Sequence, residues 1–262
     1  MSETPEPFSS LPEIRKELRK ERERSAQADP VSVYAIMDSS LSSFFYAFRS
    51  TLPPSRTQPI PLLEKKYDAF RKYIEETLRQ GDTKNLAAIE FGGPGYRLFD
   101  GFTPNFFKQT LGVCLKYDQK NEPLNLTEEE RHRVLIGNIF DESMYSDVRK
   151  LIKGKEVGLI ISRMAGPLHD MTRNPRLLSV VMKAWYRLLT HSPSLMFVQF
   201  PQSEFLYVRI KKWQEYIQEE FGETMELQVG GDAFRLLKKE GAPIELPLID
   251  NFENEEIFYG WC

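Results

Sequence analysis

The sequence predicts an α/β fold: a mostly parallel sheet with an antiparallel hairpin at one edge, helices on both faces, and extra helices ahead of it. Three observations carry this. Apolar runs of strand length recur between Leu86 and Phe200 with helical stretches between them, the texture of strands buried on both faces and joined by crossover helices. Two further strand-like runs, MELQVGG (225–231) and AFRLLKK (233–239), follow with almost no linker and read as an antiparallel pair. The chain of 262 residues, 41% hydrophobic and 28% charged, has ordinary globular composition and length for one sizeable core.

Taken in order, Met1 to Pro12 lacks hydrophobic periodicity. Residues 13–28, EIRKELRKERERSAQA, alternate in charge sign with Ile14 and Leu18 at i and i+4, and read as an exposed helix. Residues 1–30 are therefore a charged, partly disordered N-terminal segment. Residues 31–84 form a helical extension. Tyr34, Met37, Leu41, Phe44, Phe45 and Phe48 recur at helical spacing, and the segment LPPSRTQPIP then breaks the chain with its four prolines. A helix follows, with Leu63, Tyr67, Phe70, Ile74 and Leu78 in one stripe and Gly81 as its C-terminal cap.

Residues 85–262 are the α/β domain. Its strands are expected at 86–91, 111–117, 133–139, 157–164 and 194–200, and its helices at 98–110 (interrupted at Pro104), 141–154, 175–191 and 203–222. No internal repeat interrupts this order.

Several function classes lose support at once. A net charge of −3 provides no global positive field to hold a polyanion, although a local basic patch stays open. Cys114 and Cys262 are a poor basis for a disulfide framework, and His132, His169 and His191 show no ligand spacing. No segment has the apolar length of a membrane span or signal peptide. The expected compartment is the cytoplasm.

In an open parallel sheet, ligands bind beyond the carboxyl ends of the strands, where the winding reverses. The first such turn is IEFGGPGYRLF. Gly92, Gly93 and Gly95 let a ligand approach bare backbone, and Pro94 stiffens the loop. A dinucleotide fingerprint needs a third glycine where Leu98 stands, and Glu90 sets negative charge where a diphosphate would lie. An acid here suits a ligand with a cationic amine.

The run AAIEFGGPGYRLF resembles the first motif of class I S-adenosylmethionine-dependent methyltransferases: an apolar strand ending in an acid, one apolar residue, then a Gly-rich turn. By element order the resemblance spans Asn85 to Phe200. It implies a Rossmann-like sheet with S-adenosylmethionine as cofactor. Glu90, Gly92, Gly93 and Gly95 would line its methionine part, with Pro94 in place of a mid-motif glycine. An acid at the end of the second strand holds the ribose in that family, and Asp118 is the nearest candidate, with Lys116 or Tyr117 as alternatives in register. After the third strand, Asn138 would meet the adenine amine while Ile139 and Phe140 pack on the purine. Asp141 is a second choice there, or else caps the next helix.

The acceptor side is less defined. Neither the Asp/Asn-Pro-Pro of amino methyltransferases nor the spaced Lys, Asp, Lys, Glu set of RNA ribose methyltransferases appears after strand four, where the chain reads ISRMAGPLHDMTRNP. His169 stands there as a general base, with Asp170 beside it, or as an ordinary loop histidine. Arg163 would bind an anionic group of the acceptor or close an ion pair over the sheet end. The stretch FLYVRIKKWQEYI mixes aromatics with Arg209, Lys211 and Lys212, and reads as core packing with a solvated basic edge or as a base-stacking surface. A methyltransferase acting on an unidentified acceptor is the leading expectation. A catalytically inactive binding module of the same fold is the second, and a nucleotide-dependent oxidoreductase the third.

Overall fold

A computed structural model describes residues 61–93, 99, 101–114, 133–162, 174–200, 203–230, 233–249 and 252. The expected helices at 13–28 and 32–50 and the proline-rich segment before Pro61 lie outside the described residues. The first helix, α1 (Pro61–Leu78), buries Phe70, Ile74 and Leu78 along one stripe, as the i, i+4, i+8 spacing demands.

Gly81 follows the end of α1 as expected, but without a left-handed backbone. Positive φ occurs at Gly92, Gly154, Gly241 and Asn105 among the described residues, whereas Gly81 simply returns its N–H to the Leu78 carbonyl at 3.1 Å. Glycine is required for space instead, because a Cβ would stand 2.2 Å from the Ser192 carbonyl oxygen and 2.9 Å from the His191 ring. The ring is held, since its nitrogens face Glu156 at 3.0 Å and the Leu78 carbonyl at 3.3 Å. Gly81→Ala is therefore expected to destabilise the fold by about 1–3 kcal/mol in urea denaturation, the usual cost of overpacking. An unchanged midpoint would show that this turn yields freely.

The strands are β1 (Leu86–Phe91), β2 (Gln109–Cys114), β3 (Val134–Ile136), β4 (Glu156–Ser162), β5 (Ser194–Gln199), β6 (Met225–Gly230) and β7 (Ala233–Lys238). They form one seven-stranded sheet in the order β3-β2-β1-β4-β5-β7-β6. The first five are parallel, while β7 lies antiparallel to both β5 and β6. The expected parallel sheet with an antiparallel edge hairpin is thus present. β2 begins two residues before the apolar run, with Gln109 in register with Ala87 of β1 and its side-chain amide donating to the Leu151 carbonyl at 2.8 Å.

The helix expected over 98–110 does not form as one. Phe99 is helical, but 101–108 run as turns and bends, with Asn105 in the left-handed region at φ 62°. Pro104 removes a donor here, and the buried Glu75 of α1 competes for the preceding one. Its carboxylate accepts from the Thr103 N–H at 2.6 Å, the Thr103 hydroxyl at 2.7 Å and Arg79 at 2.8 Å. The four phenylalanines of this stretch then pack as a cluster, Phe106 on Phe107 at 4.9 Å and Phe102 on Phe107 at 5.1 Å.

Three helices cover the other face: α2 (Glu142–Leu151), α3 (Pro175–Leu188) and α4 (Glu204–Phe221). Asp141, Asn174 and Ser203 cap them, each side chain accepting a backbone N–H in the first turn. Two cores result, one on each side of the sheet. Phe70, Ile74 and Leu78 pack on Leu86, Ala88, Ile161 and Phe197, while Trp185, Tyr186 and Trp213 pack on Phe91, Val113, Ile160 and Phe234. After β7, residues 242–249 strap α3 to α4. Tyr186 donates to the Pro243 carbonyl and Trp213 to the Pro247 carbonyl, each at 2.7 Å, and Arg187 grips Glu245 at 2.8 Å.

Candidate functional site

The winding reverses at β1. Its successor β2 lies on one side and β4 on the other, so the carboxyl ends of β1 and β4 flank the crevice that such a reversal leaves. Residues at these ends are Glu90 to Gly93 after β1, Gly137 to Phe140 after β3, Ser162 on β4, and Gln199 and Phe200 on β5.

Alternation divides the last residues of β1 between the two faces. Phe91 points to the α2–α3–α4 side, where its ring stacks on Trp185 at 5.1 Å and 23° and lies 6.2 Å from Tyr145. Glu90 shares the α1 face with Leu86 and Ala88 and is fully buried. In register it stands between Gly112 of β2 and Ile161 of β4, so one neighbour contributes no side chain beside it. A carboxylate buried at this depth needs polar or cationic company, and Glu90 has an interaction within the fold.

Gly92 then completes the ladder, donating to the Val113 carbonyl at 2.8 Å, and leaves it with φ 83°. A side chain there would be strained. This is the one glycine of the turn whose conformation demands its identity among those described. Gly93 is buried behind it. Gly95 lies outside the described residues.

Two strands away, the end of β3 is built around Met144. A Cβ on Gly137 would come within 2.6 Å of the Met144 side chain. Asn138 is exposed and uses its side-chain oxygen to accept the Phe140 N–H at 3.1 Å, while its carbonyl accepts from Asp141 N–H at 2.9 Å. Ile139 is buried in the core and Phe140 packs partly against it. The Ile139 carbonyl is fixed by the Tyr145 hydroxyl at 2.8 Å. Burial pushes that hydroxyl far above the ordinary tyrosine range, so it stays a donor. Asp141 caps α2, accepting from Ser143 N–H at 3.0 Å.

The structure therefore brings Glu90, Gly92, Gly93, Asn138 and Ile139 to one edge of the sheet. Asp118, Arg163 and His169, with Asp170, lie outside the described residues. The Tyr145–Ile139 and Trp185–Phe91 supports were absent from the sequence reading. Their only signal there was the helical spacing that marks both aromatics as inward-facing. Among the described residues no group of three or more His, Cys, Asp or Glu side chains is placed to hold a metal, and no helix is long and apolar enough to cross a membrane.

No family model and no curated protein matches the sequence. Among solved structures, the MycE methyltransferase of the mycinamycin biosynthetic pathway, in complex with Mg and SAH, is 12% identical with a TM-score of 0.42, over 67% of this chain and 47% of that one. The chain thus spans about half the length of that neighbour. A putative ribosomal RNA methyltransferase from Plasmodium falciparum is 13% identical with a TM-score of 0.40, over 70% of this chain and 97% of that one. A SAM-dependent methyltransferase from Anabaena variabilis is 12% identical with a TM-score of 0.32, over 66% and 94%.

Proposed function

We propose that this protein is an S-adenosylmethionine-dependent methyltransferase whose cofactor lies across the carboxyl ends of β1, β2 and β3. The observation that carries the reading is Glu90, a carboxylate fully buried at the winding reversal and followed two residues later by a glycine at φ 83°. An acid buried beside bare backbone is the donor set that a ligand with an ammonium group and a close-packed chain requires. The spacing agrees. With neighbouring strands about 4.8 Å apart, the end of β3 stands roughly 10 Å from the end of β1. Across that span the order Glu90, β2 end, Asn138 is the order in which the family resemblance lays methionine, ribose and adenine.

The bound cofactor supplies an electrophilic methyl group on a sulfonium. What this chain contributes is orientation. Glu90 holds the amine by charge-assisted hydrogen bonding, Gly92 and Gly93 give backbone contact at close range, and Asn138 offers its exposed amide to the purine edge while Ile139 shapes the floor from below. Alignment of acceptor and methyl is the main catalytic resource of such a site. His169 is assigned as the group that removes the acceptor's proton and Arg163 as the anchor for an anionic part of it. Asp118 is assigned to the ribose hydroxyls and Gly95 to the methionine end of the turn. The cytoplasm is the proposed compartment.

A second reading, an inactive binding module on the same sheet, is favoured by β4, which ends in the buried hydroxyl of Ser162 rather than in an acid. The two part on one titration. Calorimetry with S-adenosylhomocysteine is expected to give micromolar affinity for the native protein and none for Gly93→Val, whose added carbons fill a buried position in the turn. Urea denaturation of the variant verifies that it remains folded. Absence of binding to the native protein would remove the methyltransferase reading and leave the module.

A further inference from the structure

The turns that replace the expected helix over 98–110 border a cavity at the edge of the sheet opposite Glu90. Lys108, which lines it, donates its backbone N–H to the Leu86 carbonyl at 2.8 Å, and Arg133, also in the lining, immediately precedes β3. The cavity therefore lies at the amino ends of β1, β2 and β3. At about 3.3 Å per residue, roughly 17 Å of strand separates Leu86 from Phe91 and the turn beyond it. The cavity measures about 280 Å³. That is well above the ~150 Å³ of an apolar cavity that accepts benzene. One aromatic ring fits there with room for a further group.

Its lining joins ring surface to positive charge. Phe99, Phe102 and Phe107 form one wall, tilted or edge-on to one another at 5.1 to 6.3 Å. Lys108 and Arg133 stand at the same cavity, and no carboxylate lines it. Lys108 is exposed, and its ammonium has no partner among the described residues. The acid behind Thr103 does not neutralise this charge, because Glu75 is already taken up by Thr103 and Arg79. Those bonds also fix the wall in advance of any ligand. Asn105, on the rim, holds φ 62°, a conformation that persists where its surroundings determine it and that recurs at ligand clamps. We infer that this cavity binds a small aryl anion, a single aromatic ring bearing one carboxylate or phosphate group. The ring lies against the phenylalanine wall, and the anion takes charge-assisted hydrogen bonds from Lys108 and Arg133. An occupant of this size does not reach Glu90, so the site is separate from the proposed cofactor crevice.

Titration calorimetry of the full chain with phenyl phosphate, benzoate and inorganic phosphate tests this. At least one of the two aryl anions is expected to bind, and the tighter one identifies the anionic group. Inorganic phosphate should bind roughly tenfold more weakly or not at all, since it leaves the ring wall uncovered. Lys108→Gln, a change at an exposed position, should weaken the aryl anion roughly tenfold or more, as for a lost hydrogen bond to a charged group. Phe107→Leu keeps an apolar wall without the ring, and should weaken the aryl anion about 2- to 10-fold while leaving inorganic phosphate unchanged. Saturating S-adenosylhomocysteine should not compete. Failure of both aryl anions to bind would overturn the inference, as would binding indifferent to Lys108→Gln, or inorganic phosphate binding as tightly as either. Competition by S-adenosylhomocysteine would overturn it too, because the anion would then lie in the crevice beside Glu90. A native protein that ignores S-adenosylhomocysteine yet binds an aryl anion through Lys108 would uphold this site while removing the methyltransferase reading.

Discussion

Glu90→Gln weakens S-adenosylhomocysteine binding by roughly 10- to 150-fold, the equivalent of about 1.5–3 kcal/mol for a hydrogen bond to a charged group. The substitution preserves shape and removes only the negative charge. It therefore separates two roles for a side chain that is 0% exposed at the end of a central strand. If the carboxylate exists to meet a cationic ligand, its loss costs binding beyond any change in stability. If it is instead a structural member of the α1-face core, the variant melts lower and the ligand is indifferent. Paired titration calorimetry and thermal denaturation distinguish these outcomes directly. A variant that binds as tightly as the native protein would sink the cofactor assignment, whatever its stability.

The fold was legible where a single physical pattern decided each element. β1 is buried at every position and is bounded by Gly92, so its apolar run and its structural limits coincide at Leu86 and Phe91. α2 begins where Asp141 offers a cap, and α4 where Ser203 does. Legibility failed where partners distant in sequence decide. The turns across 101–108 depend on Glu75, some 28 residues earlier, and the early start of β2 lies in its ladder with Ala87 and Ala88 of β1. Gly81 illustrates the same point. Its type announced a special backbone position, but only packing against Ser192 shows that the need is for space and not for a left-handed turn.

The site divides along the same line. The places of Glu90 and Gly92 at the end of β1 were readable because an acid and a glycine at a strand end are conspicuous against an apolar run. What was not readable is the scaffolding beneath them. Arg235 shows how much a local reading misses. Set in the apolar run AFRLLK of β7, it is buried on the α1 face, where its guanidinium meets the Tyr73 hydroxyl and Glu226 and lies 5.5 Å over the Tyr73 ring. Nothing local to β7 predicts a partner on α1, since 162 residues separate Tyr73 from Arg235. Arg209 is the converse case, a cation in a basic stretch whose neighbours in sequence imply solvent while the fold buries it.

The largest loss of stability is expected from Trp185→Ala, about 3–5 kcal/mol, the range for removing a buried indole and leaving its cavity. Trp185 is fully buried in the last turns of α3, and its stack on Phe91 is one of the contacts that hold the end of β1 to the helical layer, beside that of Tyr145. The denaturation midpoint in urea should fall with an unchanged slope, since the surface exposed on unfolding is nearly the same. Trp185→Phe should recover part of the loss because an aromatic ring can still stack on Phe91. The same variant bears on the site, for Phe91 lies between Glu90 and Gly92 in the chain. Freed of its stack, Phe91 no longer fixes the backbone from which the turn departs. Under conditions where Trp185→Ala is still folded, it should bind S-adenosylhomocysteine more weakly than the native protein even though Trp185 lies on the face opposite Glu90. A stability loss under about 1 kcal/mol would mean that the helices collapse into the space without cost, and unaltered binding would mean that the Gly92 turn is held from the β2 side alone, through its hydrogen bond to Val113.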